Sequence, residues 1–485
     1  MTKDIRALEP TELWNNFADL NAVPRGSKKE ERVIQFMVDF AKKLNLEAVV
    51  DLVGNVIIKK PASKGMENRK TVVLQSHLDM VHQKNSDTHF NFDTEGIKML
   101  VDGDWVRADG TTLGADNGLG VAAIMSILAS KTIKHPALEA LFTIDEETGM
   151  TGAMGLQAGY LKGEILLNLD TEEDDEIDIG CAGGIDVTAE NTYNEVGSPV
   201  NSGGYTISVI GLKGGHSGMD IHKGLGNANK IMNRLLYESK EFIRISEING
   251  GSLRNAIPRE SFAIISVANS RKEAFIKKIN KTIKEIKAEL ATVDPNLEIK
   301  ISEVATPERV MTTISQSTLL NMIYAAHNGV YRMSNDMKDL VETSNNVARV
   351  IVKDESVKVM CLTRSSVESA KFDLANKLKA TFEMAGYDVT FSGSYPGWKP
   401  NVNSPILKLL TETYNNLFNE KANVVACHAG LECGILGTNY PNMDMISFGP
   451  TIQGAHSPDE KANIKSAQKF WKYLLTILEN IPVKK

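Results

Sequence analysis

The sequence predicts an α/β protein in which a mixed, largely parallel sheet flanked by helices forms a main domain, interrupted by an inserted α+β domain. Between Leu13 and about Val196, short apolar runs alternate with a helical run. This alternation is typical of layered α/β folds. Two Gly/Ser/Pro-rich stretches, which begin near Val196 and Ser392, bracket a middle region with a different order of elements. Such stretches are typical of linkers.

The strands of the first region are predicted from four apolar runs, and one longer apolar run predicts a helix. In a parallel sheet, ligands bind beyond the carboxyl ends of the strands. Polar residues that directly follow the runs are therefore candidates for a site. The four runs are Asn55–Lys59, Thr71–Ser76, Leu138–Ile144 and Ile165–Leu169, and the helix spans Leu119–Ser130.

The middle region is predicted to run strand, helix, strand, strand, helix, strand over residues 205–301. Its second helix is predicted at Lys272–Leu290, and it carries on one face the apolar residues Phe275, Ile279, Ile283, Ile286 and Leu290. This order matches a split β-α-β sandwich, and a partial second copy follows over residues 317–391. We therefore expect a two-lobed lid domain at residues 197–396, inserted between the two parts of the main domain at 1–196 and 397–485.

Composition limits the classes of function. A chain of 485 residues is too long for one core, and its net charge of -7 argues against a nucleic-acid partner. No stretch is apolar enough to span a membrane, and Met1–Arg6 does not begin a signal peptide. The four cysteines form no CxxC pair, which indicates reduced thiols. These features predict a cytoplasmic enzyme with no membrane partner.

A histidine and an aspartate stand at the end of the second apolar run, in Ser76-His77-Leu78-Asp79. Residues two apart on a strand point to the same side, so His77 and Asp79 share a face. Imidazole is a good zinc ligand, and a carboxylate beside it can accept the second ring N–H and fix the tautomer. Alone, the His-x-Asp pair is a common and weak signal of a metal site, and the acidic and histidine clusters that follow strengthen it.

A glycine-dense loop, Leu113–Gly120, opens the predicted helix and contains Asp116. A phosphate-binding loop is disfavoured because both the GxxxxGK[ST] and the GxGxxG spacings are missing, and because an aspartate would repel phosphate. Asp116 is then either a helix N-cap or a metal ligand. Its neighbours favour the metal ligand.

Further acidic residues and a histidine follow other predicted elements. Glu146 and Glu147 follow one strand, Asp170 ends the next, and His456 lies in a turn before the final helix. Neighbouring residues on a strand point to opposite sides, so the two glutamates need not share one task. The acidic run at 172–178 is predicted to be a solvated face.

Together these residues supply a ligand set for metal ions. Two imidazoles and three carboxylates suit two divalent ions, preferably zinc, although cobalt and manganese fit similar ligands. Ions about 3.5–4 Å apart favour a bridging carboxylate. A purely structural zinc module is disfavoured because such sites prefer cysteine. The five candidate ligands are His77, Asp116, Glu147, Asp170 and His456.

These motifs closely resemble those of the zinc aminoacylase/carboxypeptidase-type metallopeptidases, and within them the aminoacyl-histidine dipeptidases, also called cytosol non-specific or β-alanyl-histidine dipeptidases. The resemblance covers nearly the whole chain. It rests on Ser-His-Leu-Asp-Met, Gly-Ala-Asp-Asn-Gly, Asp-Glu-Glu-Thr-Gly and Ala-His-Ser, and on the segments Gln75–Val81, Leu113–Gly118, Gly214–His222, Arg254–Arg259 and Cys427–Gly434.

The resemblance implies a role for each metal ligand. Asp116 would bridge the two ions, His77 and Asp170 would hold one of them, and Glu147 and His456 would hold the other.

It also implies that Asp79 orients His77 and that Glu146 is the general base for a water activated by the two metals. A cis peptide bond would follow Asp116.

On the inserted domain, the resemblance implies that His216 donates a hydrogen bond to the oxyanion. Asn255, Arg364 and the backbone of Gly430 would receive the C-terminal carboxylate of a small peptide substrate. Arginine suits this task because its guanidinium binds a carboxylate through two parallel hydrogen bonds.

The expected function is a dinuclear zinc dipeptidase that cleaves unblocked dipeptides, including Xaa-His and β-alanyl-histidine. One alternative on the same scaffold is an amidohydrolase that acts on N-acyl amino acids or tripeptides. Another is a non-catalytic ligand-binding relative, which the complete ligand set disfavours. Simple members of the family dimerise through the insertion. We favour a homodimer, although a second lobe in the same chain could replace the partner.

Overall fold

The structure is a computed structural model that describes residues 4–484. The N-terminal segment and the outer domain limits predicted above include residues 1–3 and 485, which lie outside the described residues. The described chain divides into two compact units. The first comprises the residues up to Gly180, Pro400–Ala426 and the residues from Leu431 onward, and the second comprises Cys181–Lys399 and Cys427–Gly430.

These boundaries differ from the predicted limits at 196/197 and 396/397. Residues 183–192 form a strand that pairs with two strands of the second unit, so their backbone belongs to that unit's sheet. The Gly/Ser/Pro-rich stretch after Val196 also enters this sheet, where Gly204 pairs with Ser266 on one side and Val304 on the other. Backbone hydrogen bonds, which any residue but proline can supply, therefore outweigh a linker-like composition here.

The strands are numbered in chain order. Those up to β8 belong to the sheets of the first unit: β1 (Glu47–Val50), β2 (Val56–Lys60), β3 (Val72–His77), β4 (Met99–Asp102), β5 (Trp105–Ala108), β6 (Leu138–Thr143), β7 (Ile165–Asn168) and β8 (Glu176–Cys181). The second unit adds β9 (Gly183–Thr192), β10 (Glu195–Gly197), β11 (Ser202–Ile210), β12 (Gly215–His216), β13 (Ile243–Gly250), β14 (Ala256–Ile257), β15 (Ser261–Ala268), β16 (Glu298–Val304), β17 (Arg309–Met311), β18 (Gly329–Met333), β19 (Val341–Lys353), β20 (Ser356–Ser365) and β21 (Asp388–Tyr395). The sheets of the first unit are completed by β22 (Asn423–Cys427), β23 (Asp444–Ser447), β24 (Ile452–Gln453) and β25 (Lys461–Asn463).

The α-helices are numbered in the same way. They are α1 (Thr11–Asn21), α2 (Glu31–Lys43), α3 (Ala115–Ala129), α4 (Glu146–Gly149), α5 (Thr151–Gly155), α6 (Ala228–Glu238), α7 (Lys272–Leu290), α8 (Thr313–Ala325), α9 (Glu368–Met384), α10 (Pro405–Phe418), α11 (Glu432–Asn439) and α12 (Ile464–Asn480). Among the described residues, none of these helices combines the length and apolarity that a membrane crossing requires.

The main sheet of the first unit has the order β1-β2-β6-β3-β7-β23-β8-β22. Its centre is parallel, because β3 pairs in parallel with both β6 and β7, and β7 pairs in parallel with β23. The helix α3 packs against β3, and its apolar residues from Leu119 to Leu128 are buried. A helix that is apolar on all sides is stable only inside a core. The predicted mixed, largely parallel sheet is confirmed.

The second unit contains a larger, antiparallel sheet with the order β16-β11-β15-β13-β19-β20-β9-β21, to which β18 adds through β19. The two predicted lobes share this sheet, since β13 pairs with β19 at Ile248–Val352. The helix α7 buries Phe275, Ile279 and Ile286 in the core of the unit. This is the apolar face that the sequence predicts.

Candidate active site

The carboxyl ends of the parallel strands of the first unit carry the candidate residues. His77 is the last residue of β3, and Glu146 and Glu147 begin α4 just after β6. Asp170 follows β7 by two residues. Because neighbouring parallel strands end at the same edge of a sheet, their sequence separation does not keep these side chains apart.

Asp116 lies at the start of α3, and each of its carboxylate oxygens faces a different histidine. The distance from Oδ1 to His77 Nε2 is 3.1 Å, and that from Oδ2 to His456 Nε2 is 3.2 Å. The peptide bond between Asp116 and Asn117 is cis, as the resemblance implies. One carboxylate therefore joins two imidazoles that are far apart in the chain.

Each imidazole has a second carboxylate beside it. His77 Nε2 lies 3.5 Å from Asp170 Oδ1, and His456 Nε2 lies 2.8 Å from Glu147 Oε2. The residues thus form two groups that share Asp116, and within each group the ligand atoms lie within 4.8 Å of one another. All five predicted metal ligands are brought together.

This donor set fits a pair of divalent ions. Nitrogen and oxygen ligands at zinc bond lengths of about 2.0–2.1 Å stand about 3.3 Å apart on a tetrahedron, and the distances between 2.8 and 3.5 Å measured here bracket that value. In addition, the buried Oε1 atom of Glu147 has no hydrogen-bond partner among the described residues. A buried carboxylate oxygen in that situation favours a cation.

The electrostatics of the cluster favour positive charge. Burial opposes the charged form of His77, but the charge of Asp170 and a hydrogen bond to Asp116 outweigh it and raise the pKa well above the usual value. Hydrogen bonds to Asp116 and Glu147 raise the pKa of His456 to about 11. Metal ligands bind in their deprotonated form, so a divalent ion would compete with protons for these imidazoles.

Asp79 supports the cluster from behind. Its Oδ1 atom lies 3.3 Å from His77 Nδ1, on the side of the ring away from Asp116. The same carboxylate accepts hydrogen bonds from the backbone N–H groups of Glu146 and Glu147, at 3.0 and 3.2 Å, and from Ser27 Oγ at 2.8 Å. Asp79 therefore fixes both the ring of His77 and the first turn of α4.

Glu146 belongs to the same cluster, with a carboxylate oxygen within 4.8 Å of ligand atoms of His77 and Glu147. Burial raises the pKa of Glu146 well above the usual value, and the negative charge of Asp170 adds to the effect. A carboxyl group with a raised proton affinity is suited to accept and return a proton.

In the second unit, His216 is held as a hydrogen-bond donor. Its Nδ1 atom accepts hydrogen bonds from the backbone N–H groups of Gly218 and Met219, at 3.2 and 3.0 Å. Burial and the charge of Arg364 lower the pKa of His216 to about 4, which keeps the imidazole neutral. The ring proton of a neutral imidazole whose Nδ1 accepts is on Nε2.

Two further predicted residues lie close to His216. Arg364 is buried, with Nη2 3.4 Å from His216 Nε2 and Nη1 donating to the Tyr395 hydroxyl at 2.8 Å. Asn255 is exposed and directly precedes β14, which pairs with the strand that carries His216.

Gly430 ends the short segment 427–430, which is anchored by hydrogen bonds from the Ala182 N–H to the carbonyl groups of Cys427 and Ala429. His428, in the same segment, has Nε2 2.8 Å from Ser344 Oγ.

Several buried residues near the cluster were not predicted. Glu432 accepts hydrogen bonds from Gln75 Nε2 at 2.6 Å and from Thr143 Oγ1 at 2.7 Å. Asn117 donates to Asp170 through its side-chain amide. Burial of these polar groups is decided by the fold, so no spacing in the sequence distinguishes them from exposed residues of the same type.

Comparisons with known proteins show the family to which this chain belongs. Residues 73–480 match peptidase family M20/M25/M40. The chain is 44% identical to the cytosol non-specific dipeptidase of Escherichia coli over 483 residues, which cover 99% of this chain and 100% of the relative.

Two solved structures extend the comparison. The aminoacylhistidine dipeptidase of Vibrio alginolyticus superposes with a TM-score of 0.94 at 44% identity, over 100% of this chain and 99% of that one. The aminopeptidase PepT of Bacillus cereus, at 16% identity and a TM-score of 0.58 over 98% and 99% of the two chains, shares the fold. The predicted resemblance is thereby confirmed, and the chain belongs to peptidase family M20/M25/M40 as a metallopeptidase.

Proposed function

We propose that this protein is a metal-dependent dipeptidase that hydrolyses the peptide bond of unblocked dipeptides, including Xaa-His and β-alanyl-histidine. The observation that carries the proposal is the position of Asp116, whose two oxygens each face one His/carboxylate pair. The names of the two relatives at 44% identity, a non-specific dipeptidase and an aminoacylhistidine dipeptidase, support the substrate class.

The proposed cofactor is a pair of divalent ions, preferably zinc, with cobalt or manganese as alternatives. His77 and Asp170 would hold one ion, Glu147 and His456 the other, and Asp116 both. When bound, two such ions supply Lewis acidity, which acidifies water and polarises a carbonyl group.

Glu146 is the proposed general base and acid. Its carboxylate takes a proton from the attacking water and then gives that proton to the nitrogen of the leaving amine as the C–N bond breaks. Its position supports this role, because a carboxylate oxygen of Glu146 lies within 4.8 Å of ligand atoms of His77 and Glu147. Asp79 has the role of orienting His77 and the first turn of α4.

The donors of the second unit would bind the oxygen atoms of the substrate. The Nε2–H group of His216 is the proposed donor to the carbonyl oxygen that becomes negative during attack. Arg364, Asn255 and the backbone N–H of Gly430 are proposed to receive the C-terminal carboxylate. Arg364 presents a buried guanidinium for this purpose.

The test is a panel of substrates assayed before and after metal removal by a chelator. An unblocked dipeptide is expected to be hydrolysed and its N-acetyl counterpart to be left intact. Chelation is expected to abolish activity, and zinc is expected to restore it. Preferential hydrolysis of the N-acetyl compound or of a tripeptide would assign the alternative amidohydrolase or tripeptidase activity, and activity that survives complete metal removal would contradict the metal-dependent mechanism.

Assembly and location are part of the same proposal. We infer a homodimer, which analytical ultracentrifugation of the purified protein would test, with a monomer as the contradicting result. The name of the Escherichia coli relative supports a cytosolic location, which fractionation of cells that express the protein would test.

A further inference from the structure

We propose that Glu460 is a positioning residue for the metal centre, because it fixes the backbone that carries Asp116 and ties it to the loop that carries His456. The inference rests on the dinuclear site proposed above. Glu460 is buried, with 2% of its surface exposed.

The carboxylate of Glu460 accepts hydrogen bonds from four successive backbone N–H groups. Its Oε2 atom accepts from Leu113 at 2.7 Å and from Gly114 at 2.9 Å, and its Oε1 atom accepts from Ala115 at 2.8 Å and from Asp116 at 3.2 Å. The N–H groups that begin a helix have no partner within it, and negative charge is favourable at that end. Glu460 thus holds the start of α3 up to and including the metal-bridging residue.

The opposite side of the same loop is held by Arg25, which is fully buried. Its Nη2 atom donates to the Gly114 carbonyl at 2.5 Å, and its Nη1 atom donates to the carbonyl groups of Leu78 and Asp79, each at 3.0 Å. Gly114 is therefore bound by Glu460 through its N–H and by Arg25 through its C=O. A side chain cannot be added there, because a Cβ atom would lie 2.5 Å from Arg25 Nη2.

Glu460 also belongs to the loop that presents His456. Its own N–H donates to the Ser457 carbonyl at 3.1 Å, and the Ser457 N–H donates to the Gly454 carbonyl at 3.2 Å, which closes the turn around His456. Asp116 Oδ2 and His456 Nε2 are 3.2 Å apart. This contact therefore lies between two loops that Glu460 already connects.

Other roles for Glu460 fit the contacts less well. A metal ligand needs a free lone pair that faces the ion, and both oxygens of Glu460 are already occupied by two N–H donors each. The same occupancy disfavours a role as proton carrier. Support of metal ligands by the residues behind them is expected to affect metal affinity by about 10- to 100-fold.

The test uses the full-length protein with its metal removed, titrated with zinc in competition with a chromogenic chelator. Glu460→Gln preserves the shape of the side chain, but the NH2 group of the glutamine must face one of the two pairs of backbone N–H donors. The hydrogen bonds that hold the loop on that side are therefore lost. We expect the zinc dissociation constant of Glu460→Gln to rise by about 10- to 100-fold, and the amides at 113–116 to exchange hydrogen faster. The matched control is Asp459→Asn, which makes the same charge change at the exposed neighbour.

Two results would overturn the inference. The first is a folded Glu460→Gln protein that binds zinc as tightly as Asp459→Asn does. A lower melting temperature would not change this conclusion, because a merely structural role affects stability and leaves zinc affinity unchanged. If Glu460→Gln does not fold, Glu460→Asp, which keeps the charge on a shorter side chain, is judged by the same zinc titration. The second is a wild-type protein that binds no zinc, which contradicts the proposed metal site itself and is therefore distinguishable from the first.

Discussion

The two units of this protein hold polar clusters of opposite character. The cluster of the first unit consists of carboxylates and imidazoles gathered around Asp116. The cluster of the second unit centres on a neutral His216 and the guanidinium of Arg364. The first is a set of acceptors that attracts cations, and the second is a set of donors that attracts anions.

In the proposed function, the two clusters have different tasks in peptide hydrolysis. A substrate with a free carboxylate and a carbonyl that becomes negative during attack needs donors, whereas the activation of water needs metal ions and a base. Loss of a residue from the first cluster should therefore impair the chemical step, and loss of the carboxylate-binding arginine of the second should impair substrate binding.

The largest effect is expected from Glu146→Gln. The amide cannot take a proton from water, so kcat should fall by about 10²- to 10⁴-fold, while metal content should stay at the wild-type value. Steady-state kinetics and elemental analysis of the same sample provide the measurement. Glu173→Gln, which alters an exposed glutamate of the same unit, is the control. Retained activity in Glu146→Gln would remove Glu146 from the mechanism.

His216→Ala should be second in size. Loss of a donor to the oxyanion is expected to lower kcat by about 10²- to 10³-fold, with little change in KM. The exposed His89 provides the matched His→Ala control. A rise in KM with an unchanged kcat would show that His216 binds the ground state of the substrate. This result would contradict the proposed role of His216 as a donor to the oxyanion.

Arg364→Ala should chiefly raise KM, by about 10- to 100-fold, because a hydrogen bond to a charged group contributes about 1.5–3 kcal/mol. Arg364→Lys should not restore binding fully, since an ammonium group cannot make two parallel hydrogen bonds. The control is Arg309→Ala, at an arginine whose side chain is 57% exposed. Equal KM values for a dipeptide and its C-terminal amide in the wild type would show that the carboxylate is not recognised.

The last prediction concerns stability and not activity, and it applies to Asp178 of the first unit. The sequence predicts a solvated face at 172–178, but Asp178 is buried, with the Thr171 hydroxyl donating to it at 2.9 Å. Burial raises the pKa of Asp178 to about 7 from 3.8. The folded state therefore binds more protons than the unfolded state between these pH values, and stability falls as pH rises through that window.

Asp178→Asn should remove this penalty. The free energy of unfolding of Asp178→Asn minus that of the wild type is expected to increase from pH 4 to pH 8. The increase in this difference is expected to be on the order of 1–4 kcal/mol. Urea unfolding at both pH values provides the measurement. A difference that does not vary with pH would show that Asp178 is ionised in the folded protein throughout.

The sequence predicted the structure well where the hydrophobic pattern was regular and where polar residues directly followed a strand. The predicted run Leu138–Ile144 is β6 (Leu138–Thr143), and the predicted helix Lys272–Leu290 is α7 with the same limits. The candidate metal-binding cluster could be predicted in large part because parallel pairing places the polar residues that follow neighbouring strands at one edge of the sheet. His216 and Arg364 came from the family resemblance alone, since neither lies in a spacing with its own chemical meaning.

What the sequence could not show depends on contacts of the backbone. Glu460 binds four main-chain N–H groups, and every residue except proline has such a group, so no residue pattern marks its partners. The start of the second unit at Cys181 was also missed, because strand pairing at 183–192 leaves no sign in composition. The hydrogen bonds from residues 113–116 to Glu460 join segments more than 340 residues apart, and only the structure shows them.

The order of the chain has a consequence for synthesis. Asp116 lies in the amino-terminal part of the first unit, but its partner His456 and the clamping Glu460 lie after the whole second unit, and β23 enters the main sheet beside β7 from the same late part. A ribosome that has translated residues 1–399 has therefore made neither the second histidine nor the residue that fixes the bridging loop. We therefore expect a chain that ends before His456 to be inactive toward peptides, because it lacks one ligand of the proposed metal site.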